Sequence, residues 1–109
     1  MAVDSEKRIH LVGIGGAGMS GIARILKQMG KDITGSDLNS SEVTSRLESI
    51  GITVFNGHSS ANLDQDTDLV VFSSAVPGSN PEVRKAHRLG IPVIRRGEML
   101  AHLVNSCQG

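Results

Sequence analysis

Short apolar runs alternate with longer amphipathic stretches from one end of this chain to the other. Arg8 to Ile14 is apolar and β-rich, which predicts a first strand. Beyond a glycine cluster, Met19, Ile22, Ala23, Leu26 and Met29 recur at i, i+3, i+4, i+7, the stripe of a helix with one buried face. Gly30 stands where a C-terminal cap belongs. Asp32 to Gly35 predicts a second strand ending at Ser36-Asp37. Asn39 with Glu42 three residues on is a capping signature for a second helix, which should bury Val43, Leu47 and Ile50 and stop at Gly51. Ile52 to Phe55 predicts a third strand, and the polar stretch around His58 to Asp66 has room for one helical turn. Asp68 to Phe72 is the most strand-like run and opens onto Ser73-Ser74-Ala75. Asn80-Pro81 supplies a capping side chain and a first-position proline for a third helix that Gly90 ends. Ile91 to Ile94 predicts a fifth strand, and Gly97 to Val104 begins another helix. Residues 1–7 are expected to form a flexible leader, 8–104 the folded domain and 105–109 a tail.

Strands alternating with helices imply an α/β fold: a parallel sheet, right-handed crossovers and helices on both faces. Five strands suit a Rossmann-like sheet in the order 3-2-1-4-5. Such sheets bind ligands beyond the carboxyl ends of the strands, near the gap between strands one and four. The Gly15–Gly18 loop, Ser36-Asp37, Ser73-Ser74-Ala75 and Arg95-Arg96 all fall at that edge.

The glycines give the edge its chemistry. Gly13, Gly15 and Gly18 stand at G-x-G-x-x-G spacing between a strand and a helix. A strand that turns abruptly into a helix leaves backbone N–H groups aimed outward, and the helix dipole adds positive partial charge there, so a diphosphate can settle. A tight turn that binds nothing is the plainer alternative. Asp37 follows the second strand, where an acidic side chain commonly accepts bonds from ribose hydroxyls; a turn-capping aspartate is the alternative, and Ser36 suits either job. Ser73 and Ser74 end a buried strand as ligand donors or as simple turn residues. Arg95 and Arg96 either reach an anion or pair with Glu98. His58 closes strand three, against a base or as a loop histidine, whereas His10, among apolar neighbours, is a structural histidine with its bonds satisfied.

Composition narrows the field. The 109 residues form one domain, with formal net charge of zero, which gives no support for nucleic-acid or membrane-surface binding. Two phenylalanines and no tyrosine or tryptophan offer no platform for stacked bases. The single cysteine, Cys107, excludes a disulfide framework and a cysteine-based metal cluster, and suits a cytoplasmic protein. No G-x-x-x-x-G-K-[ST] loop is present, since Gly30-Lys31 is followed by Asp32, and neither is a G-x-S-x-G elbow. No residue is assigned a catalytic or metal-ligating role, and the chain is expected to be the binding part of something longer.

His10-Leu11-Val12-Gly13-Ile14-Gly15-Gly16-Ala17-Gly18-Met19-Ser20-Gly21-Ile22-Ala23 resembles the opening of the Mur ligases, and so do Gly35-Ser36-Asp37, Ser73-Ser74-Ala75, Asn80-Pro81-Glu82 and Ile91 to Leu100. These segments run in order over nearly the whole chain. The paired Gly15-Gly16 and Ala17-Gly18-Met19 favour the alanine-adding branch over the branch that reuses a recycled peptide. The resemblance implies a three-domain enzyme in which the first domain grips the UDP part of UDP-N-acetylmuramate, the second binds ATP and the third brings the amino acid. It implies that L-alanine is attached through an acyl phosphate during peptidoglycan synthesis. ATP and magnesium would serve the complete ligase, with no cofactor in this chain itself and the downstream domains missing. By position, Gly15, Gly16, Ala17, Gly18 and Met19 should meet the diphosphate, Ser36, Asp37 and Ser73 to Ala75 the uridine, with His58 and Arg96 completing the set. The competing reading is an NAD(H)-binding Rossmann module of a dehydrogenase or redox-sensing regulator, supported by the same glycines and Asp37; five strands are few for a full dinucleotide.

Overall fold

The computed structural model describes residues 7–16, 18–39, 41–73 and 75–108, with the side chains of 102 and 104–108 excepted. Strands β1 (Arg8–Val12), β2 (Asp32–Asp37), β3 (Thr53–Asn56), β4 (Leu69–Phe72) and β5 (Val93–Arg95) form one parallel sheet in the order β3-β2-β1-β4-β5. The expected order is the observed one. Helices α1 (Met19–Gln28), α2 (Glu42–Ser49), α3 (Pro81–Leu89) and α4 (Arg96–Gln108) connect or follow the strands. The expected leader lies almost wholly outside the described residues. Helix α4 runs past Val104 through most of the expected tail.

Strand alternation sorts the chain onto two faces. Ile9 and Leu11 point to one, where Met19, Ile22 and Leu26 of α1, Leu47 of α2 and Met99 and Leu103 of α4 close the larger core. Val12 and Val70 point to the other, where Val83 and Ala86 of α3 pack with Leu63. The split follows from handedness: the sheet grows one way through α1 and α2 and the other way through α3, so right-handed crossovers put them on opposite faces. Burying each large side chain of the α1 stripe contributes about 1.5–3 kcal/mol. Met29, expected at the end of that stripe, is instead the capping residue and 39% exposed.

Helix ends mostly follow the expected chemistry. Asn80 Oδ1 accepts from Glu82 N and Val83 N with Pro81 at the first helical position, and Gly90 caps α3 in the left-handed region. Helix α2 departs from expectation. Its cap is Ser41 rather than Asn39: Ser41 Oγ accepts from Thr44 N, and Thr44 Oγ1 accepts from Ser41 N. A threonine completes the box, so the acid at Glu42 is free to pair with Arg46, and the Asn39 N–H turns back to Asp37. Ile50 lies past the last helical turn and is 44% exposed. No second-face helix links β3 to β4; a turn of 3-10 helix at Ser60–Asn62 does so.

Candidate functional site

The row Ser36, Val12, Phe72, Arg95 lies in register across four strands. The residues that follow them form the carboxyl edge of the sheet. At its centre the chain leaves β1 through Gly13, whose φ is 81°, and enters α1 from Gly18, also at 81°. Both need the left-handed region that glycine adopts without strain. Gly16 does not, so its place rests on room alone: a Cβ there would come within 3.2 Å of the Gly13 carbonyl oxygen.

The loop is anchored from β2. Gly13 N and Ile14 N both donate to the Ser36 carbonyl, at 2.8 and 3.0 Å. Gly15 N donates to Asp37 Oδ2 at 2.9 Å, and Asn39 N to Asp37 Oδ1 at 3.2 Å. Asp37 thus braces the glycine loop and its own turn at once. From β4, Ser73 approaches on the other side: its Oγ accepts from Ala75 N at 3.1 Å and lies 3.8 Å from where a Gly16 Cβ would stand.

Arg96, at the first position of α4, lies against Gly18, where a Cβ would meet its Nη1 at 3.0 Å. Helix α1 begins at that point with no side-chain cap and no acidic residue in its first turn. Unpaired N–H groups, the positive end of a dipole and a guanidinium therefore share one spot. Among the described residues no carboxylate engages Arg96. The pairing weighed with Glu98 falls instead to the backbone, since Glu98 Oε1 accepts from Arg95 N at 3.4 Å. The Arg95 guanidinium lies over the Phe72 ring, 5.8 Å from its centre.

Other expected site residues lie differently. The Met19 side chain, expected at the ligand, lies wholly in the core, and its N–H donates to the Gly16 carbonyl. The Ser36 hydroxyl is fully buried and donates to Glu82 Oε1 at 2.7 Å, leaving the uridine contact expected of it without a free group. His58 stands beside Ser36, its Nδ1 2.9 Å from Ser36 Oγ. Ala75 is exposed at the edge. Ala17 and Ser74 lie outside the described residues.

Sequence reasoning missed the buried polar centre beneath this edge. Glu82, with no exposure, accepts from Ser36 Oγ, His10 Nε2, Ser59 N at 3.1 Å and Asn62 Nδ2 at 3.3 Å, with His58 Nδ1 at 3.2 Å. Burial pushes its carboxyl up, but the bonds from His10 and Ser36, with the nearby His10 ring and Asn62, hold it below its ordinary value. The signal lay in His10: an imidazole inside a buried strand needs a partner, and the chain-distant Glu82 is the one the topology delivers. Thr34 Oγ1, 2.7 Å from His10 Nδ1, satisfies the other ring nitrogen.

Two clefts, of about 490 and 450 Å³, lie away from the glycine loop, between α1 and α2 and over β2 and β3.

Comparison with known proteins gives a consistent result. A model of the "Mur ligase family, catalytic domain" matches residues 8–107. A UDP-N-acetylmuramate–L-alanine ligase from Syntrophomonas wolfei is 57% identical over 106 residues, covering 97% of this chain and 23% of that protein. The crystal structure of a UDP-N-acetylmuramate-alanine ligase from Thermotoga maritima superposes with a TM-score of 0.87 at 36% identity, over 91% of this chain and 23% of that one. A UDP-N-acetylmuramate:L-alanyl-gamma-D-glutamyl-meso-diaminopimelate ligase from Neisseria meningitides gives 0.75 at 33% identity, over 84% and 29%. The chain spans about a quarter of the length of these proteins.

Proposed function

The chain belongs to the Mur ligase family, and we propose that it is the part of an alanine-adding ligase that holds the UDP end of UDP-N-acetylmuramate at the glycine-loop edge. The observation that carries this reading is the juxtaposition of Arg96 with Gly18 at the uncapped start of α1. A diphosphate there would complete the orphan N–H groups and neutralise the guanidinium. Gly15, Gly16 and Gly18 line the loop, Ser73 and Ala75 flank it, and Asp37 and His58 border the side where a nucleoside would extend.

The complete reaction would join L-alanine to the lactyl carboxylate through an acyl phosphate, using ATP and magnesium. These do not fit the residues in hand. The sequence has no lysine-bearing phosphate loop, and among the described residues no three His, Cys, Asp or Glu side chains group to hold a metal. This chain's contribution is to bind and orient one substrate while chemistry proceeds on other domains. A cytoplasmic setting suits a nucleotide-sugar substrate. Among the described residues no helix is long and apolar enough to cross a membrane.

Ligand-observed NMR competition among UDP, UDP-N-acetylmuramate, NAD and ATP tests the reading. Saturable binding of the two uridine ligands, each displacing the other, is expected. NAD binding much tighter than UDP would instead make this a dinucleotide module.

A further inference from the structure

The glycine loop and Glu82 do not touch, yet a short run of bonds joins them. The Ser36 carbonyl takes the N–H groups of Gly13 and Ile14, and the hydroxyl of the same residue donates to Glu82 Oε1. Glu82 Oε2 takes Ser59 N and Asn62 Nδ2, tying down the segment after β3. His58 closes the circuit, with Nδ1 2.9 Å from Ser36 Oγ and 3.2 Å from Glu82 Oε2.

A proton inventory fixes the ring. The one hydroxyl proton of Ser36 lies toward Glu82, so in its contact with His58 the serine oxygen accepts and Nδ1 donates. An ionised carboxylate only accepts, so the second contact demands the same. Nδ1 therefore carries a proton, and in the neutral form of the ring Nε2 keeps its lone pair. That nitrogen reaches solvent. Among the described residues the one buried side-chain polar atom without a partner is Thr67 Oγ1, and the His58 side chain keeps 14% exposure. A fully buried carboxylate is costly to desolvate even when its bonds are all made, and an apolar residue of like volume is often the more stable choice. A charge kept there at such cost fits a group retained for the geometry it imposes.

We propose that Glu82 is a positioning residue for the ligand edge: it presets the strand end at Ser36 that carries the glycine loop, and it presents His58 Nε2 outward as a hydrogen-bond acceptor for a donor on the ligand. The proposal rests on the reading that this edge holds a nucleoside diphosphate. Glu82→Gln keeps the size of the side chain but brings two N–H donors among groups that themselves donate.

The test uses the full chain labelled with nitrogen-15 near neutral pH. In the unsubstituted protein the His58 ring signals should show Nδ1 protonated and Nε2 bare. In folded Glu82→Gln the ring should pass to mixed tautomers, the Gly13 and Ile14 amide signals should move, and UDP affinity should fall about tenfold, the scale of one lost hydrogen bond. An unsubstituted His58 with its proton on Nε2 overturns the proposal, and does so even where Glu82→Gln fails to fold. A folded Glu82→Gln with unchanged ring and loop amides also overturns it, whatever its affinity. An unsubstituted chain that shows the Nδ1–H ring but binds no UDP overturns the proposed function and supports the coupling.

Discussion

Among the described residues, Glu82 and Asp68 are the two carboxyl groups whose surroundings hold them below their ordinary values. For Asp68 the causes are the backbone N–H groups of Arg8 and Lys7, each donating to its Oδ2 at 2.9 Å. A group depressed on folding contributes stability that is complete above its unfolded pKa and is lost as pH falls through its folded one. The urea midpoint should therefore hold from about pH 7 to pH 5 and decline below about pH 4. Glu82→Gln should show a smaller decline, with the remainder belonging largely to Asp68. An identical acid limb in both proteins would show that Glu82 carries no such share. At this scale the sequence was only partly legible. Asp37 was weighed between ribose contact and turn; its carboxylate accepts from Gly15 N and Asn39 N, one at each oxygen, and both oxygens keep acceptor capacity for a ribose. Ser36 was legible as a strand-end polar residue, but its side chain is spent inward. Glu82, two residues into a helix, carried no reading of its own, because nothing local says that its partner is His10, 72 positions away.

Helices and strands were far more legible, because their signals are local. The α1 stripe, the Asn80-Pro81 start and the Gly90 stop of α3 came straight from spacing and capping chemistry. The cap of α2 was misassigned because Asn39-x-x-Glu42 and Ser41-x-x-Thr44 overlap, and only the backbone path decides which one closes the box. Gly35 is a sharper case. It lies inside β2, where glycine weakens a strand, yet a Cβ there would stand 2.5 Å from Ile14 Cδ1 and 2.8 Å from both Ile14 Cβ and the Leu11 carbonyl oxygen. The residue leaving β1 packs directly on the β2 backbone, and part of the obstruction is main chain that cannot swing aside. Gly35→Ala should lower stability by about 1–3 kcal/mol, the usual cost of overpacking. The loop that Ile14 begins should be displaced as well. Urea unfolding measures the first effect and loop amide shifts the second. A Gly35→Ala protein as stable as its parent would mean that β1 and β2 can separate without cost.

Across the whole molecule, the topology gathers at one rim what the sequence scatters over some eighty positions, from Gly13 to Arg96. The order β3-β2-β1-β4-β5 puts the glycine loop between Asp37 on one side and Ser73 and Arg96 on the other. Alternation of elements and right-handed crossovers made that arrangement predictable before any side chain was placed. The same rim sets a limit on chemistry. It offers backbone N–H groups, a helix dipole and the Arg96 guanidinium, which suit holding a diphosphate at rest. Phosphoryl transfer to a carboxylate asks for more: a lysine-bearing loop around the transferring group and ligands that keep magnesium on it. Gly30-Lys31-Asp32 is no such loop, and no metal-holding group of side chains occurs among the described residues. The 109-residue chain should therefore release no phosphate from ATP in the presence of magnesium, L-alanine and UDP-N-acetylmuramate. The same chain joined to a downstream ATP-binding domain and an amino-acid domain should turn over in an alanine-dependent way, because a bound substrate held in place converts the carboxylate's attack into an intramolecular step. Phosphate release measured on both proteins makes the comparison. Alanine-dependent turnover by the short chain alone would mean that chemistry, and not only binding, resides at this rim.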